Sequence, residues 1–419
     1  MSQRAVVIGM GAIGIAAAYY LQRAGWQVTL ADRGDVGQGC SYANACLIVP
    51  SHSHPVPGPG VIWQGLRWML APESPLYVRP RVDRRFLRWL REFRRFCSAE
   101  AAERGFHALV GLSRASLELF EELARDAGVG FFYERKGLLN IYLSDAGLAA
   151  AVEEQHRLDL AGFRARVLTG PEAREAEPAL GAGVRGALVV EGEAHGNCFE
   201  YVRALAQELE KRGARLLRHR RVTRIVVEAG RVAGVVIEEP RDELPTDVAV
   251  LAAGAWTGEL TEPLGVVLPL EPAKGYSCTI DSYAGAPRLP LLVHEKRIAI
   301  TPLGPRLRFG GTLELTGHDL SLNQTRYQAV IKGARATLDH RLELRNEAAW
   351  CGLRPLTPDG LPIIDRVPGV EGLIVATGHG MLGFTQSPAT GKLVTELASA
   401  SPPRCPGRRS GSPGFRSPD

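Results

Sequence analysis

The sequence has no C-x-x-C pair, and its seven cysteines, at 40, 46, 97, 198, 278, 351 and 405, form an odd, scattered set. That spacing argues against a disulfide scaffold and against a structural zinc site, so no metal is expected. A reducing cytoplasm is the expected compartment. No run of ~18 apolar residues occurs, so no membrane-spanning helix is expected. A strand begins within the first five residues, which is read as leaving no room for a cleavable signal peptide. No G-x-S-x-G elbow, P-loop or HExxH pair is present, which removes three familiar catalytic layouts. There is no internal repeat. A dominant charge sign is also missing: 50 Lys and Arg against 45 Asp and Glu leave +5 over 419 residues. Residues 79–95 alone hold eight arginines against Asp83 and Glu92, a local +6, so the rest sums to −1. Such a balance does not imply nucleic-acid binding.

What is present is an ordinary globular composition, 45% apolar and 23% charged. Forty-seven glycines exceed the ~7% typical of proteins and point to tight turns and close backbone approaches. The length allows two or three domains, or one composite, at ~150 residues each.

Ala5–Ile8 reads as a buried parallel strand, Ala12–Arg23 as a helix ending at Gly25, and Trp26–Ala31 as a second strand. Prolines 50, 55, 57 and 59 break the stretch after Ser41. Residues 84–126 carry helical periodicity, 128–144 read as strands and 145–162 as a helix. Phe199–Arg212 is an amphipathic helix, and Leu216–Glu238 a strand pair around Ala229–Gly230. Val248–Ala253 and Leu373–Ala376 are short buried strands; 265–315 holds several more, and a helix runs from about Ser387 to Leu397. The Pro-, Gly-, Ser- and Arg-rich segment 400–419 reads as a disordered tail. Strands of dinucleotide-fold character thus sit at both ends and in the middle. The expected class is α/β, a Rossmann-like FAD-binding domain of discontinuous segments (1–60, 196–260, 345–399). An α+β substrate domain with a mostly antiparallel sheet (61–195, 261–344) is inserted into it.

Gly9-Met-Gly11-Ala12-Ile13-Gly14 follows a buried strand and opens a helix, the context that a dinucleotide fingerprint requires. Gly9 permits the tight turn, Gly11 a close backbone approach to a pyrophosphate, and Gly14 close helix packing. The helix N-terminus offers free N–H groups to phosphates. Asp32 ends the second strand, where its carboxylate suits ribose hydroxyls, with Arg33 beside it. A glycine-rich turn in an unrelated α/β protein would not require Asp32. Two further strand-to-glycine turns favour FAD over NAD. One is Leu251-Ala-Ala253-Gly254-Ala-Trp256. The other is Gly378-His379-Gly380-Met381-Leu382-Gly383, followed by Thr385 and a helix start that could stabilise negative charge on a reduced flavin.

Together these segments resemble the D-amino-acid-oxidase/glycine-oxidase superfamily of flavoenzymes, and within it the bacterial D-amino-acid dehydrogenase small-subunit group. The likeness covers the chain to about residue 399. It is carried by VVIGMGAIG, by Ser41-Tyr-Ala-Asn44-Ala45, by the segment Pro269–Ser277, by Gly352-Leu-Arg354-Pro355-Leu-Thr-Pro-Asp-Gly360 and by TGHGMLGFT. It implies that Ser41, Asn44, Ala45, Val222, Ala253, Gly254, Gly352 and the 378–385 turn contact FAD. It also implies that Arg354 binds the substrate carboxylate, a task suited to a guanidinium fork that keeps its charge. Tyr276 and His294 are candidate pocket residues, although a strand tyrosine and a lone histidine in an apolar run both have packing as their plainer reading. Some members attach flavin through a cysteine five positions before the Thr of Thr-Pro-Asp. Gly352 stands there, so non-covalent FAD is expected and Cys351 is read as a small buried hydrophobe.

The implied reaction is oxidation of a D-amino acid by hydride transfer from Cα to flavin N5, giving a 2-oxo acid and ammonia after hydrolysis. No catalytic acid–base residue is assigned, because the flavin carries the chemistry. Alternatives are another small amine (glycine, sarcosine, proline or a hydroxyproline isomer), a nicotinamide dehydrogenase, or a non-enzymatic nucleotide-binding module. The electron acceptor would be a quinone, a dye, a redox partner or O2. In Arg79–Arg95, arginines 84, 88, 91 and 95 recur opposite Phe86, Trp89, Leu90, Phe93 and Phe96. That helix is a candidate peripheral contact with the inner face of the cell membrane, against the plainer reading of an ordinary amphipathic surface helix.

Overall fold

Three short apolar runs, Arg4–Ile8, Val248–Leu251 and Leu373–Thr377, are buried on both faces, as central strands of a parallel sheet must be. They form the middle of a six-stranded sheet whose order is Arg215–Leu217, Gln27–Ala31, Arg4–Ile8, Val248–Leu251, Leu373–Thr377, Ile363–Arg366. All neighbours run parallel except the last pair. The computed structural model describes residues 3–399 apart from 70, 72, 127, 239–241 and 340–342. The segment 400–419, expected as a tail, lies outside the described residues.

One face of this sheet is covered by helices Ala12–Arg23, Cys198–Lys211 and Ser387–Ala398. The first and third approach so closely that a Cβ at Gly391 would strike the Ala16 carbonyl. The other face is covered by an antiparallel sheet of Val222–Glu228, Arg231–Ile237 and Asp242–Pro245, with Ile225 and Val235 packed among Val6, Ile8 and Leu251.

A second, nine-stranded sheet runs Ala348–Leu356, Glu271–Asp281, Arg306–Leu315, Ile298–Leu303, Leu291–Val293, Leu138–Tyr142, Gly186–Val190, Ala165–Thr169. Leu76–Val78 joins it through a parallel pairing on Arg306–Leu315, and Leu291–Val293 pairs parallel with Leu138–Tyr142; its other pairs are antiparallel. Helix Gln324–Thr337 packs on one face, with Tyr327, Val330 and Ile331 against Tyr276, Cys278 and Ile298. One boundary needs correction. Residues from 345 onward were expected in the dinucleotide part, but Ala348–Leu356 pairs along its whole length with Glu271–Asp281 and is an edge of the large sheet. The helical stretch 84–126 is two helices, Arg84–Arg95 and Ala99–Arg125, broken where the Ser98 hydroxyl caps the second by accepting the Ala101 N–H.

Candidate active site

The two sheets enclose a cavity of about 2120 Å³. The glycine turn of the first strand forms one wall. Gly9 has φ +111°, and a Cβ there would collide with the Ala252 carbonyl, so the turn demands glycine. Gly14 does not line the cavity: a Cβ on it would run into the Gly9 carbonyl oxygen, and its absence lets the helix seat on the turn. The Asp32 carboxylate accepts the N–H of Met10 at 2.7 Å and of Gly34 at 2.9 Å, and the Ser41 hydroxyl accepts the Ala12 N–H at 2.9 Å. Among the described residues the N–H groups of Gly11 and Ile13, both at the cavity wall, have no protein acceptor. Orphan donors at a helix N-terminus, an open cradle and a fixed carboxylate are the donor set that a pyrophosphate and a ribose require.

The remaining candidates for this wall spread along it. The Arg33 guanidinium carbon stands over Trp256, 3.9 Å from the ring centroid, and both residues line the cavity with Val222, Ala253 and Gly254. Asn44 and Ala45 are locked by the backbone: the Asn44 side chain accepts the Cys46 N–H, and the Ala45 carbonyl accepts the Thr301 hydroxyl. In the last turn His379, Gly380, Met381, Leu382, Gly383 and Thr385 line the cavity, whereas Gly378 (φ +80°) does not. A Cβ at Gly378 would strike Thr357, so that glycine serves the turn itself. His379 is buried, its Nε2 3.0 Å from the Thr390 hydroxyl, and burial pulls its pKa down to about 3. Its imidazole is therefore neutral.

Opposite this wall, strand Ala348–Leu356 presents Trp350, Gly352 and Arg354 on one face, and Glu271–Asp281 presents Ala273, Gly275 and Ser277 beside them. Gly275 faces Gly352 in register, and neither has room for a side chain. A Cβ at Gly352 would meet the Trp350 ring, and one at Gly275 would meet the Arg354 guanidinium. Arg354 thus lies across a bare strand and donates from Nη1 to the Thr312 carbonyl at 2.9 Å. No carboxylate pairs with it among the described residues. Burial lowers its pKa, although a guanidinium stays charged at any working pH. The Cys40 thiol, pushed up to about 12 by burial, donates to the Leu353 carbonyl and adds no charge.

Strand alternation turns two residues toward the helix side of the sheet. Tyr276 points away from Gly275 and Ser277: its ring is buried under helix Gln324–Thr337 and its hydroxyl accepts the Asn323 N–H. It packs in the core while still bordering the cavity. Cys351 likewise turns to the reverse side from Gly352 and Arg354, where its thiol donates to the Leu320 carbonyl. His294 does line the cavity, its ring edge-on to Tyr142 and its Nδ1 without a hydrogen-bond partner. Several lining residues were not picked out from the sequence: Ser277, whose buried hydroxyl has no partner, and Thr312, Trp350, His52, His54 and Arg297. The one available signal was the pair of glycines in Lys274-Gly275-Tyr276 and Cys351-Gly352-Leu353, which marks a floor kept clear for larger neighbours.

Comparison with known proteins agrees with this arrangement. The family described as FAD dependent oxidoreductase matches residues 4–397. A D-amino acid dehydrogenase of Bradyrhizobium diazoefficiens is 34% identical over 415 residues, covering 96% of each chain. One from Cereibacter sphaeroides is 34% identical over 406 residues, covering 96% of this chain and 92% of its own. Among solved structures, glycine oxidase from Bacillus cereus superposes with a TM-score of 0.77 at 21% identity, over 98% of this chain and 100% of that one. L-Proline dehydrogenase from P. horikoshii gives 0.71 at 20% identity, over 95% and 94%. At these identities the two structures speak to the fold alone.

Proposed function

Because the chain belongs to the D-amino-acid-oxidase (DAO) family of FAD-dependent oxidoreductases, we propose that it oxidatively deaminates D-amino acids. FAD, when bound, supplies the acceptor for the hydride leaving Cα, and the resulting imino acid takes up water to give a 2-oxo acid and ammonia. Non-covalent FAD would be held by the Gly9–Gly14 turn, Asp32, Ser41 and the His379–Gly383 turn. Gly352 stands where a linking cysteine would be and offers no thiol, which supports the absence of a covalent link.

One observation carries the substrate reading: Arg354 is a cation inside the cavity with no carboxylate paired to it among the described residues. An α-carboxylate supplies that charge, and the planar fork takes it bidentately. The Thr312 carbonyl holds one nitrogen and the bare Gly275 strand sets the plane, so the bound amino acid is oriented with little freedom. Neutral His379 adds no competing cation. The test is a panel of D- and L-amino acids, glycine and imino acids with a dye acceptor, run beside a peroxide assay. Preference for D-amino acids with dye and little peroxide is expected; activity confined to glycine, sarcosine or proline would overturn the substrate assignment.

The same reading sends electrons on to an acceptor, and an anionic membrane surface is the proposed meeting place. Phe86 and Trp89 are not available for this, because they are buried against Ala273, Leu315 and Leu356. The apolar contact is instead helix Val61–Met69, where Ile62, Trp63, Leu66 and Met69 are exposed, Trp63 by 76%. Beyond it Arg84, Arg88 and Arg94 are exposed and have no ion pair among the described residues. Both helices contribute to the cavity wall. Vesicles with anionic lipid should pellet the protein at low salt and release it at high salt. Failure to pellet at low salt, or unchanged pelleting of a Trp63→Ser, Arg88→Glu variant, would refute the membrane role. No helix among the described residues is long and apolar enough to cross a membrane.

A further inference from the structure

A second cation without an ion pair among the described residues stands in the same cavity. Arg297 immediately precedes strand Ile298–Leu303, whose first residue pairs with Gly311, the chain neighbour of the Thr312 that receives Arg354. Two arginines therefore bracket one position of strand Arg306–Leu315 from opposite sides. Arg297 closes the turn between strands Leu291–Val293 and Ile298–Leu303 with a φ of 53°, and it lines the cavity. Among the described residues it has no hydrogen bond and no ion pair. The nearest acid in sequence, Glu295, is engaged through Oε1, which accepts the N–H groups of Leu143 and Ser144 and the Ser144 hydroxyl at the start of helix Asp145–Leu160, while its Oε2 is buried without a hydrogen-bond partner.

Glu295 offsets the charge of Arg297 from beyond ion-pair distance, and the other groups around it are polar. His52, His54 and His294 line the cavity close enough to feel its charge or one another's. Burial pulls His52 down to about 3 and lowers His294 as well, so both rings are neutral, and the Nδ1 of His294 is buried with no partner. The Glu154 carboxylate pairs with His54 at 3.2 Å and with Arg157, so its charge is already matched. Arg297 is exposed to the cavity, so its charge is open to a ligand anion.

We propose that Arg297 is a second anion anchor and that the cavity takes D-amino acids whose side chain ends in a carboxylate, the dicarboxylic class. This rests on the reading that Arg354 holds the α-carboxylate; the α-carboxylate then meets Arg354, the side-chain carboxylate meets Arg297, and the neutral His52 and His294 line the same cavity.

The test compares D-glutamate and D-aspartate with D-glutamine and D-asparagine, in wild type, Arg297→Gln and Arg297→Lys. Glutarate and butyrate are titrated in parallel against the holoenzyme, followed by the flavin absorbance spectrum without turnover. Wild type should favour each acid over its amide. Arg297→Gln should lower the acid-to-amide ratio of kcat/KM by roughly 10- to 100-fold, mainly through KM, and Arg297→Lys should restore part of it. Glutarate should bind more tightly than butyrate, and Arg297→Gln should erase the difference. Equal acid and amide ratios in wild type and Arg297→Gln would overturn the proposal while leaving D-amino-acid oxidation intact. If no D-amino acid is turned over, the substrate reading falls instead. The glutarate titration then decides Arg297 alone: weakened binding in Arg297→Gln upholds the anchor, unchanged binding removes it.

Discussion

Replacing Gly275 by alanine is the sharpest perturbation of the site, since it adds one methyl group and removes nothing. Gly275 has no positive φ, so alanine fits its backbone without strain, and alanine is no worse than glycine in a strand interior. The new Cβ, however, would fall inside the contact shell of Cζ and both terminal nitrogens of Arg354. Ordinary contact then requires the guanidinium to retreat by about 1 Å or more, which breaks the 2.9 Å bond to the Thr312 carbonyl and tilts the fork. Misplacement of about 1 Å commonly costs about 100-fold in rate, or about 2.7 kcal/mol. We expect kcat/KM for a D-amino acid to fall by about that factor, with a higher KM, normal flavin content and a melting temperature within a degree or two. Arg354→Ala should produce a similar loss, and adding Gly275→Ala to it should change little further, because the group that the methyl displaces is gone. Steady-state kinetics of the two single variants and the double variant give the cycle. Additive losses, or a Gly275→Ala enzyme as active as wild type, would refute the claim that this glycine exists to seat Arg354.

Other outcomes follow from the same geometry. Gly14→Val should abolish flavin binding, because its side chain collides with the Gly9 carbonyl that shapes the cradle; the ratio of flavin to protein absorbance checks it, and a normal ratio would contradict the packing. Acid precipitation should release all flavin to the supernatant, and colour retained in the washed pellet would mean a covalent link. Burial pushes the Glu193 carboxyl up to about 8, with the Ser51 N–H on Oε1 only partly offsetting this. The folded state thus holds a proton that the unfolded chain releases near pH 4.5. This group's stabilising share is complete below that value and is lost as pH rises toward 8. Glu193→Gln should flatten the fall in Tm over that window, and an unchanged pH slope would show that another group governs it.

The dinucleotide part was readable from sequence because its signals are local. Strand Arg4–Ile8, helix Ala12–Arg23 and strand Gln27–Ala31 follow from apolar runs, glycine punctuation and an acid at the second strand's end, all within 32 residues. Arg354 was readable only through a resemblance, since nothing local separates it from a surface arginine; its significance comes from the missing counter-charge, which only folding creates. The tertiary structure decided the rest. Period-two alternation says that Lys274, Tyr276 and Cys278 share one face and Gly275 and Ser277 the other, but not which face helix Gln324–Thr337 will cover. For that reason the sequence could offer Tyr276 as a pocket candidate but not show that Gly275 lies under Arg354. Strand Ala348–Leu356 was misplaced for a related reason, because its partner lies about eighty residues earlier in the chain and pairing at that distance leaves no trace in local composition. Arg297 shows the limit most plainly: its place at the cavity wall beside Thr312 follows from the pairing of Ile298 with Gly311, and no pattern within its own segment announces it.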